Sequence, residues 1–379
     1  MNDVQVWLGA RVFDGARFHD DSALVTQGGR VRALVPAADA PEGAPIDLEG
    51  GILCPGFLDL QVNGGGGRLL GQGEPEAEIV AICAAHGALG TTGVLPTLIT
   101  ADRGVTRDVI AAGVRAAHAG LPGFLGLHLE GPHLDPRRKG AHDAALIRPM
   151  EEADLAALIE AARALPALMV TLAPEAATPA QIAALAAAGV IVALGHSDTS
   201  EARARAALDA GAGVVTHLFN AMSPLQHRAP GLVGAALDSG VWAGIIPDGI
   251  HVAPAAFRVA LAAKPGRVFA VTDAMAVAGT EARAFTLNGR RILREGGRLT
   301  LEDGTLAGAD IDMPGALRWM IADARIPPET ALAMTTRVPA AVLGLRDRGH
   351  LAAGARADLV HLSGDFALRG VWRGGVPVT

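Results

Sequence analysis

Residues 190–219 read VIVALGHSDTSEARARAALDAGAGVVTHLF, and this stretch decides the predicted fold. It begins with a short apolar run at 190–196, continues with an Ala-rich stretch of helical length at 201–210, and ends with a second apolar run at 214–219. Apolar runs that alternate with helical stretches are typical of parallel strands joined by crossover helices. The stretch therefore predicts one βαβ unit.

The same alternation recurs through most of the chain. Apolar runs that predict strands lie at residues 52–62, 93–98, 124–130, 167–173, 190–196, 214–219, 242–247 and 268–272. Ala-rich stretches that predict helices lie at residues 76–89, 107–119, 150–164, 179–188, 201–210 and 254–263. About eight such units over roughly 250 residues predict an α/β fold with a (β/α)8 TIM-like barrel. A doubly wound parallel sheet is the alternative.

The remaining segments do not follow this alternation. Both ends of the chain are rich in short strands broken by glycine turns, and neither end is long enough for a sandwich of its own. We therefore expect residues 1–52 plus 345–379 to form a small β-sandwich domain, with the barrel at 53–344. Within the barrel, residues 281–308 predict an inserted hairpin and residues 329–343 a late helix.

Composition excludes several classes of protein. Hydrophobic residues make up 50% of the 379 residues and charged residues 19%, which predicts a folded chain with a large core. The net charge of −7, the 3% aromatic content and the absence of Tyr argue against a nucleic-acid partner. Cys54 and Cys83 are too few for a disulfide framework. With neither a signal peptide nor an apolar stretch of membrane-spanning length, we expect a cytoplasmic protein without a membrane partner.

Polar residues stand at the ends of four predicted strands, where a barrel enzyme places its chemistry. Glu130 ends the third strand, His196 the fifth and His217 the sixth. One carboxylate and two imidazoles are a ligand set of catalytic Zn²⁺ sites. Asp273 ends the eighth strand, where a carboxylate could take a proton from an activated water. Each residue taken alone could instead be a hydrogen-bonded core residue or a helix cap.

Longer sequence strings carry a resemblance to a known family. The string PGFLD at 55–59, which opens the first barrel strand, resembles the amidohydrolase superfamily. More specific strings resemble N-acetylglucosamine-6-phosphate deacetylases: HLEGPH at 128–133, KGAH at 139–142, LGHS at 194–197, THLFNAM at 216–222, PGL at 230–232, DGIHV at 248–252 and VTDA at 271–274. The resemblance extends nearly from end to end.

The resemblance implies hydrolysis of the N-acetyl group of N-acetylglucosamine 6-phosphate to glucosamine 6-phosphate and acetate. It implies that Glu130, His196 and His217 hold the metal. Asp273 would activate the water and protonate the departing amine, and His142 would polarise the acetyl carbonyl. The other substrate-binding residues that the resemblance implies are Ala141, Asn220, Ala221, Arg228, Asp248, His251, Leu306, Ala307 and Gly308.

Two further expectations concern the assembly and the metal. By resemblance, Arg228 and His251 bind the phosphate in the active site of a neighbouring subunit, which implies a homodimer. Many members of the superfamily carry His-x-His at the end of the first strand, where this chain has Gln61 and Asn63. Neutral amides are weak ligands, so we expect one divalent metal per subunit and no tightly held second ion. Zn²⁺ is the first choice, and Fe²⁺, Co²⁺ and Mn²⁺ fit the same ligands.

Two other functions remain open at this stage. The same metal and base could act on a different N-acyl sugar, an N-acyl amino acid or a cyclic amide. A binding module that has lost its chemistry is a third possibility. A protein of that kind would be expected to have lost a metal ligand or the base by substitution. Glu130, His196, His217 and Asp273 are all present, which argues against it.

Overall fold

The computed structural model describes residues 4–378, in which strands and helices alternate through most of the chain. The strands of this part of the chain are β1 (Gln5–Leu8), β2 (Arg11–Phe13), β3 (Phe18–His19), β4 (Ser22–Gln27), β5 (Arg30–Pro36), β6 (Ala44–Asp47), β7 (Ile52–Pro55), β8 (Phe57–Val62), β9 (Gly64–Gly65), β10 (Arg68–Leu69), β11 (Thr91–Ile99), β12 (Leu127–Glu130), β13 (Leu168–Leu172), β14 (Ile191–Leu194), β15 (Val214–Val215), β16 (Trp242–Ile245), β17 (Val268–Ala270), β18 (Ala284–Leu287), β19 (Arg290–Glu295), β20 (Arg298–Thr300), β21 (Leu306–Ala309), β22 (Leu359–Leu362), β23 (Leu368–Arg373) and β24 (Val376–Pro377).

The α-helices fall mainly between the strands from β10 to β17 and after β21. They are α1 (Pro75–Ala88), α2 (Arg103–His118), α3 (Glu152–Ala164), α4 (Pro179–Ala187), α5 (Glu201–Asp209), α6 (Gly231–Leu237), α7 (Pro254–Ala263), α8 (Met313–Ala322), α9 (Pro328–Thr335) and α10 (Arg337–Val342). Several begin at a side chain that caps free N–H groups: Asp102 accepts from Gly104 and Val105 before α2, and Ser200 accepts from Arg203 before α5. None of the described helices has the length and apolar character needed to cross a membrane.

Eight parallel strands form the central sheet, in the order β17-β16-β15-β14-β13-β12-β11-β8. The two outer strands of this sheet, β8 and β17, are linked through the residues that follow β17. Val62 of β8 forms a bridge with Ala274, and the N–H of Asp273 donates to the carbonyl of Gln61 at 3.0 Å. The sheet therefore closes into a barrel. The predicted α/β fold with a TIM-like barrel is confirmed, and the doubly wound alternative is wrong.

The two ends of the chain supply separate sheets. One contains β5, β4, β1 and β6, and the other contains β24, β23, β22, β7, β2 and β3. The β7–β22 ladder joins the two ends of the chain directly, and Trp7, Leu53 and Leu359 pack into a core of their own. This part of the predicted fold class is confirmed. The domain boundaries stay a prediction, and residues 1–3 and 379, which they include, lie outside the described residues.

Three predicted elements differ from the structure. The run at 52–62 is two strands, because the chain passes from one sheet to another at Gly56, where a Cβ would lie 2.2 Å from Thr92 Oγ1. The late helix is two helices broken at Thr336, since Pro339 has no N–H for the carbonyl of Thr335 in a continuous helix. The predicted hairpin at 281–308 is a four-stranded antiparallel sheet, β18-β19-β20-β21, which we call the insert.

Candidate active site

Three strand ends of the barrel bring a carboxylate and two imidazoles together. Glu130 ends β12, His196 follows β14 and His217 follows β15, so the third, fifth and sixth barrel strands each contribute one group. Glu130 Oε1 lies 3.2 Å from His196 Nε2 and 3.1 Å from His217 Nε2. The two Nε2 atoms are themselves 3.1 Å apart. All three side chains are buried, so these atoms converge inside the barrel mouth.

The backbone is strained at the same strand ends. His196, His217 and Asp273 have φ values of 46°, 27° and 51°, and Phe219 and Ala221 also have positive φ. Residues with a Cβ rarely adopt this region, and such strain clusters at functional sites. The left-handed turns direct the side chains at the ends of the strands into the barrel mouth.

The hydrogen bonds of the imidazoles determine which nitrogen faces the site. His196 Nδ1 lies 2.8 Å from the carbonyl oxygen of Arg138, so it must donate, and Nε2 presents a lone pair. His142 Nδ1 accepts from the backbone N–H of Thr100 at 3.3 Å, so its Nε2 carries the proton. That N–H faces Glu130 Oε2 at 3.7 Å. His196 therefore has the form of a metal ligand, and His142 the form of a hydrogen-bond donor.

A divalent cation fits this set of groups. Three atoms 3.1–3.2 Å apart nearly match the edges of a tetrahedron whose metal–ligand bonds are about 2.0 Å long. Although burial alone would raise it, the two imidazoles beside it hold the pKa of Glu130 well below its usual range. Ligand atoms of Glu130, His142 and His196 also lie within 4.8 Å of one another. His217 stays the predicted third ligand, because the backbone contact of His142 Nδ1 places the proton of that ring on Nε2.

Asp273 lies beside this cluster in the form of a base. Its Oδ1 accepts from Asn63 Nδ2 at 2.6 Å and from Gln61 Nε2 at 3.2 Å. Burial and the charge of Glu130 raise the pKa of Asp273 to about 6. Gln61 Nε2 also donates to Glu130 Oε1 at 3.2 Å. The two amides thus direct N–H groups to the carboxylates of Glu130 and Asp273, and the expectation of a single tightly held ion stays a prediction.

A cavity of about 520 Å³ opens above the cluster and gathers most of the predicted residues. The predicted site residues that line it are Glu130, Ala141, His142, His196, His217, Asn220, Ala221, His251, Asp273, Leu306, Ala307 and Gly308. Leu287 and the segment 304–308 come from the insert, which therefore forms one wall of the cavity.

Three predicted phosphate or substrate residues need separate comment. His251 lines the cavity of its own chain, and the expectation that it reaches a neighbouring active site stays a prediction. Asp248 does not line the cavity, but its Oδ2 lies 2.6 Å from His251 Nδ1 and orients that ring. Arg228 is exposed and lies outside the cavity.

Sequence reasoning missed two residues that act on His142. Thr100 stands one residue after β11, and its Oγ1 lies 2.8 Å from His142 Nδ1. Its position directly after a barrel strand is a pattern from which the sequence could have identified it as a site residue. Arg290 of the insert donates through Nη2 to the carbonyl of Ala141, and no motif in the sequence indicates this contact.

The chain is similar to known proteins over nearly its whole length. The model of the amidohydrolase family matches residues 52–378. An N-acetylgalactosamine-6-phosphate deacetylase of Shewanella sp. (strain ANA-3) is 36% identical over 97% of this chain and 94% of its own. An N-acetylglucosamine-6-phosphate deacetylase of Haemophilus influenzae is 33% identical over 92% of this chain and 93% of its own.

A solved structure is also similar throughout. The N-acetylglucosamine-6-phosphate deacetylase of Pasteurella multocida superposes with a TM-score of 0.95 at 33% identity and covers 99% of both chains. The match includes the barrel, the terminal sheets and the insert. The chain therefore belongs to the amidohydrolase family, in the group of the N-acetylglucosamine-6-phosphate deacetylases.

Proposed function

We propose that this protein hydrolyses the N-acetyl group of N-acetylglucosamine 6-phosphate to glucosamine 6-phosphate and acetate. The observation that carries the proposal is the convergence of Glu130, His196 and His217 beside Asp273 and His142 in one cavity. The relatives named above bear the matching activity in their names. We further propose one Zn²⁺ per subunit, held by Glu130, His196 and His217.

The side chains divide the reaction between them. A divalent metal at this position supplies Lewis-acid activation of water near neutral pH. Asp273 accepts a proton from the attacking water and returns it to the departing amine, and the amides of Asn63 and Gln61 hold its carboxylate beside the cluster. The Nε2–H of His142 donates to the acetyl oxygen as negative charge develops there. The sugar would be held by Ala141, Asn220, Ala221, His251, Leu306, Ala307 and Gly308.

Acetate release tests the proposed function. Purified protein of measured metal content, expected near one equivalent per chain, is assayed with phosphorylated and plain N-acetylhexosamines. We expect release from N-acetylglucosamine 6-phosphate, its loss on treatment with a chelator, and its return on addition of Zn²⁺. Activity confined to unphosphorylated N-acyl sugars, N-acyl amino acids or cyclic amides would instead assign the other amidohydrolase function.

The galactosamine epimer is a second candidate substrate. The Shewanella relative, at 36% identity, is named an N-acetylgalactosamine-6-phosphate deacetylase. Both epimers carry the N-acetyl and phosphate groups, so either one could react at this site. The kcat/KM values measured in the same substrate panel decide which epimer is preferred. A larger kcat/KM for the galactosamine compound would reverse the order of the two substrates.

We also propose a cytoplasmic homodimer in which Arg228 reaches the phosphate in the neighbouring subunit. Arg228 lies outside the cavity of its own chain, which leaves its guanidinium free for a partner. Guanidinium groups bind phosphate through two parallel hydrogen bonds. The free, buried thiols of Cys54 and Cys83 support a reducing compartment.

Replacement of Arg228 tests this arrangement. We expect Arg228→Ala to raise KM for the phosphorylated substrate by on the order of 10- to 100-fold, because a charge-assisted contact contributes about 1.5–3 kcal/mol. The neighbouring exposed residue provides a control, and His227→Ala should behave as wild type. An unchanged KM, or a monomer in sedimentation, would contradict the shared site.

A further inference from the structure

The insert is attached firmly to one side of the cavity mouth. Leu287, Ile292 and Leu299 are buried in a cluster with Met275 and Val277, which follow the last barrel strand. The β18–β19 turn is Asn288-Gly289, with φ values of 50° and 75°, the two-residue turn that suits a tight hairpin. The tip of this hairpin therefore has a defined place above the site.

The hairpin tip has a second attachment beside the cavity. Gln72 Nε2 donates to Asn288 Oδ1 at 3.0 Å, which ties the tip to the segment after β10. Arg290 is the first residue of β19 and pairs with Leu287 across the turn. Its backbone position is thus set by the ladder and by the attached tip, so its guanidinium is presented from a rigid base.

The segment that carries His142 has little regular structure of its own. After a 3-10 helix at Pro136–Arg138, the chain forms a turn in which the N–H of His142 donates to the carbonyl of Lys139 at 3.0 Å. Ala141, inside this turn, packs on the cluster of the insert. Among residues 4–378, its carbonyl oxygen accepts one hydrogen bond, from Arg290 Nη2.

Arg290 is free for this contact. Its guanidinium forms no ion pair with a carboxylate of the described chain, and the side chain is half-buried. The peptide that it holds is bonded directly to His142, whose Nδ1 is fixed from the other side by Thr100. The donor N–H of His142 is therefore held between a barrel strand and the insert.

We propose that Arg290 is a positioning residue, which holds the turn at 139–142 through the carbonyl of Ala141 so that His142 Nε2 faces the reacting group. The catalytic part of this inference rests on the proposed function. Loss of the guanidinium frees the turn, and the donor N–H moves away from the position of the acetyl oxygen. A displacement of about 1 Å in a catalytic group can cost on the order of 100-fold in rate.

Kinetics of Arg290→Ala test the proposal against a matched control. Arg291 occupies the next position of β19 and is exposed, so its side chain lies on the opposite face of the strand from that of Arg290 and Arg291→Ala should behave as wild type. We expect Arg290→Ala to lower kcat by on the order of 10- to 100-fold with little change in KM. Arg290→Lys should retain part of the rate, and guanidinium ion should restore part of it to the alanine variant.

Hydrogen–deuterium exchange gives a readout that does not depend on the reaction. We expect the amides of residues 139–146 to exchange faster in Arg290→Ala and to be unchanged in Arg291→Ala. Unchanged exchange in Arg290→Ala overturns the proposal, as does a raised KM for phosphorylated substrates alone, which would make Arg290 a substrate contact. If the alanine variant does not fold, Arg290→Lys and Arg290→Gln supply both measurements. If wild type releases no acetate, the proposed function fails and the exchange result still decides the role of Arg290.

Discussion

At the scale of the residue, two histidines of the site differ in which ring nitrogen carries the proton, because different backbone groups face them. His196 and His142 lie with ring centroids 4.4 Å apart at the same site. A carbonyl oxygen faces Nδ1 of His196, whereas an N–H faces Nδ1 of His142. One ring is therefore left with a lone pair at Nε2 and the other with a proton. The backbone group that faces Nδ1 therefore sets whether Nε2 of the same ring carries a lone pair or a proton.

Asp273→Asn tests the assignment of the base. Asparagine retains an oxygen for the hydrogen bonds from Asn63 and Gln61, but it cannot accept a proton from water. We expect kcat to fall by about 10²–10⁴-fold, with metal content unchanged. Asp209→Asn, which removes an exposed carboxylate at the end of α5, serves as the control. Turnover of Asp273→Asn within a few-fold of wild type would contradict the assignment.

At the scale of the element, a buried lysine joins the ends of two barrel helices. Lys264 directly follows α7, and its Nζ donates to the carbonyls of Ala236 at 2.7 Å and Ser239 at 2.8 Å, at the end of α6. The carbonyl of Ala236 also accepts from the N–H and the hydroxyl of Ser239, at 3.3 Å and 2.9 Å, so the amine adds to the cap at the end of α6. Burial lowers the pKa of Lys264 to about 8, and the nearby Arg267 adds to the shift.

This pKa shift predicts a dependence of stability on pH. Between about pH 8 and pH 10.5 the unfolded chain binds the proton of Lys264 and the folded chain has released it, so this group makes stability rise with pH. The unfolding free energy of wild type should therefore increase relative to that of Lys264→Met by about 1 kcal/mol per pH unit across that window. Urea unfolding at several pH values measures it. A difference that does not vary with pH would contradict the shift.

At the scale of the whole molecule, one arginine fastens the terminal sheet to the barrel. Arg373 ends β23, and its guanidinium donates to the carbonyls of Thr92 at 3.0 Å, Cys83 at 3.1 Å and Thr91 at 3.2 Å. A Cβ on Gly123 would lie 2.3 Å from its Nη2, so glycine is required there for this close approach. The contact joins strand β23 to both β11 and α1.

Arg373→Met measures how much this link contributes. The substitution keeps most of the aliphatic stem but removes the donor of three hydrogen bonds, so we expect a loss of about 2–4 kcal/mol in unfolding free energy. Arg369→Met in the same strand removes an exposed charge and should change stability by less than about 0.5 kcal/mol. Chemical unfolding of the two variants makes the comparison, and equal stabilities would contradict the role of Arg373.

Local sequence patterns suffice to predict the barrel and the polar groups at its mouth. Alternation of apolar runs with helical stretches is a local pattern, and the order of parallel strands follows from it with few alternatives. Once that order is given, polar residues that end strands must meet at one face, so Glu130, His196, His217 and Asp273 could be placed together from sequence.

Only the tertiary structure decided how the site is completed. Arg290 and Ala141 are separated by 149 residues, and no local pattern marks a contact over that distance. The positions of His251 inside the cavity and Arg228 outside it depend on how loops pack, as does the break at Gly56. The physical reason is that periodicity records which face of an element is buried, whereas hydrogen bonds between distant loops depend on distances that only the folded chain sets.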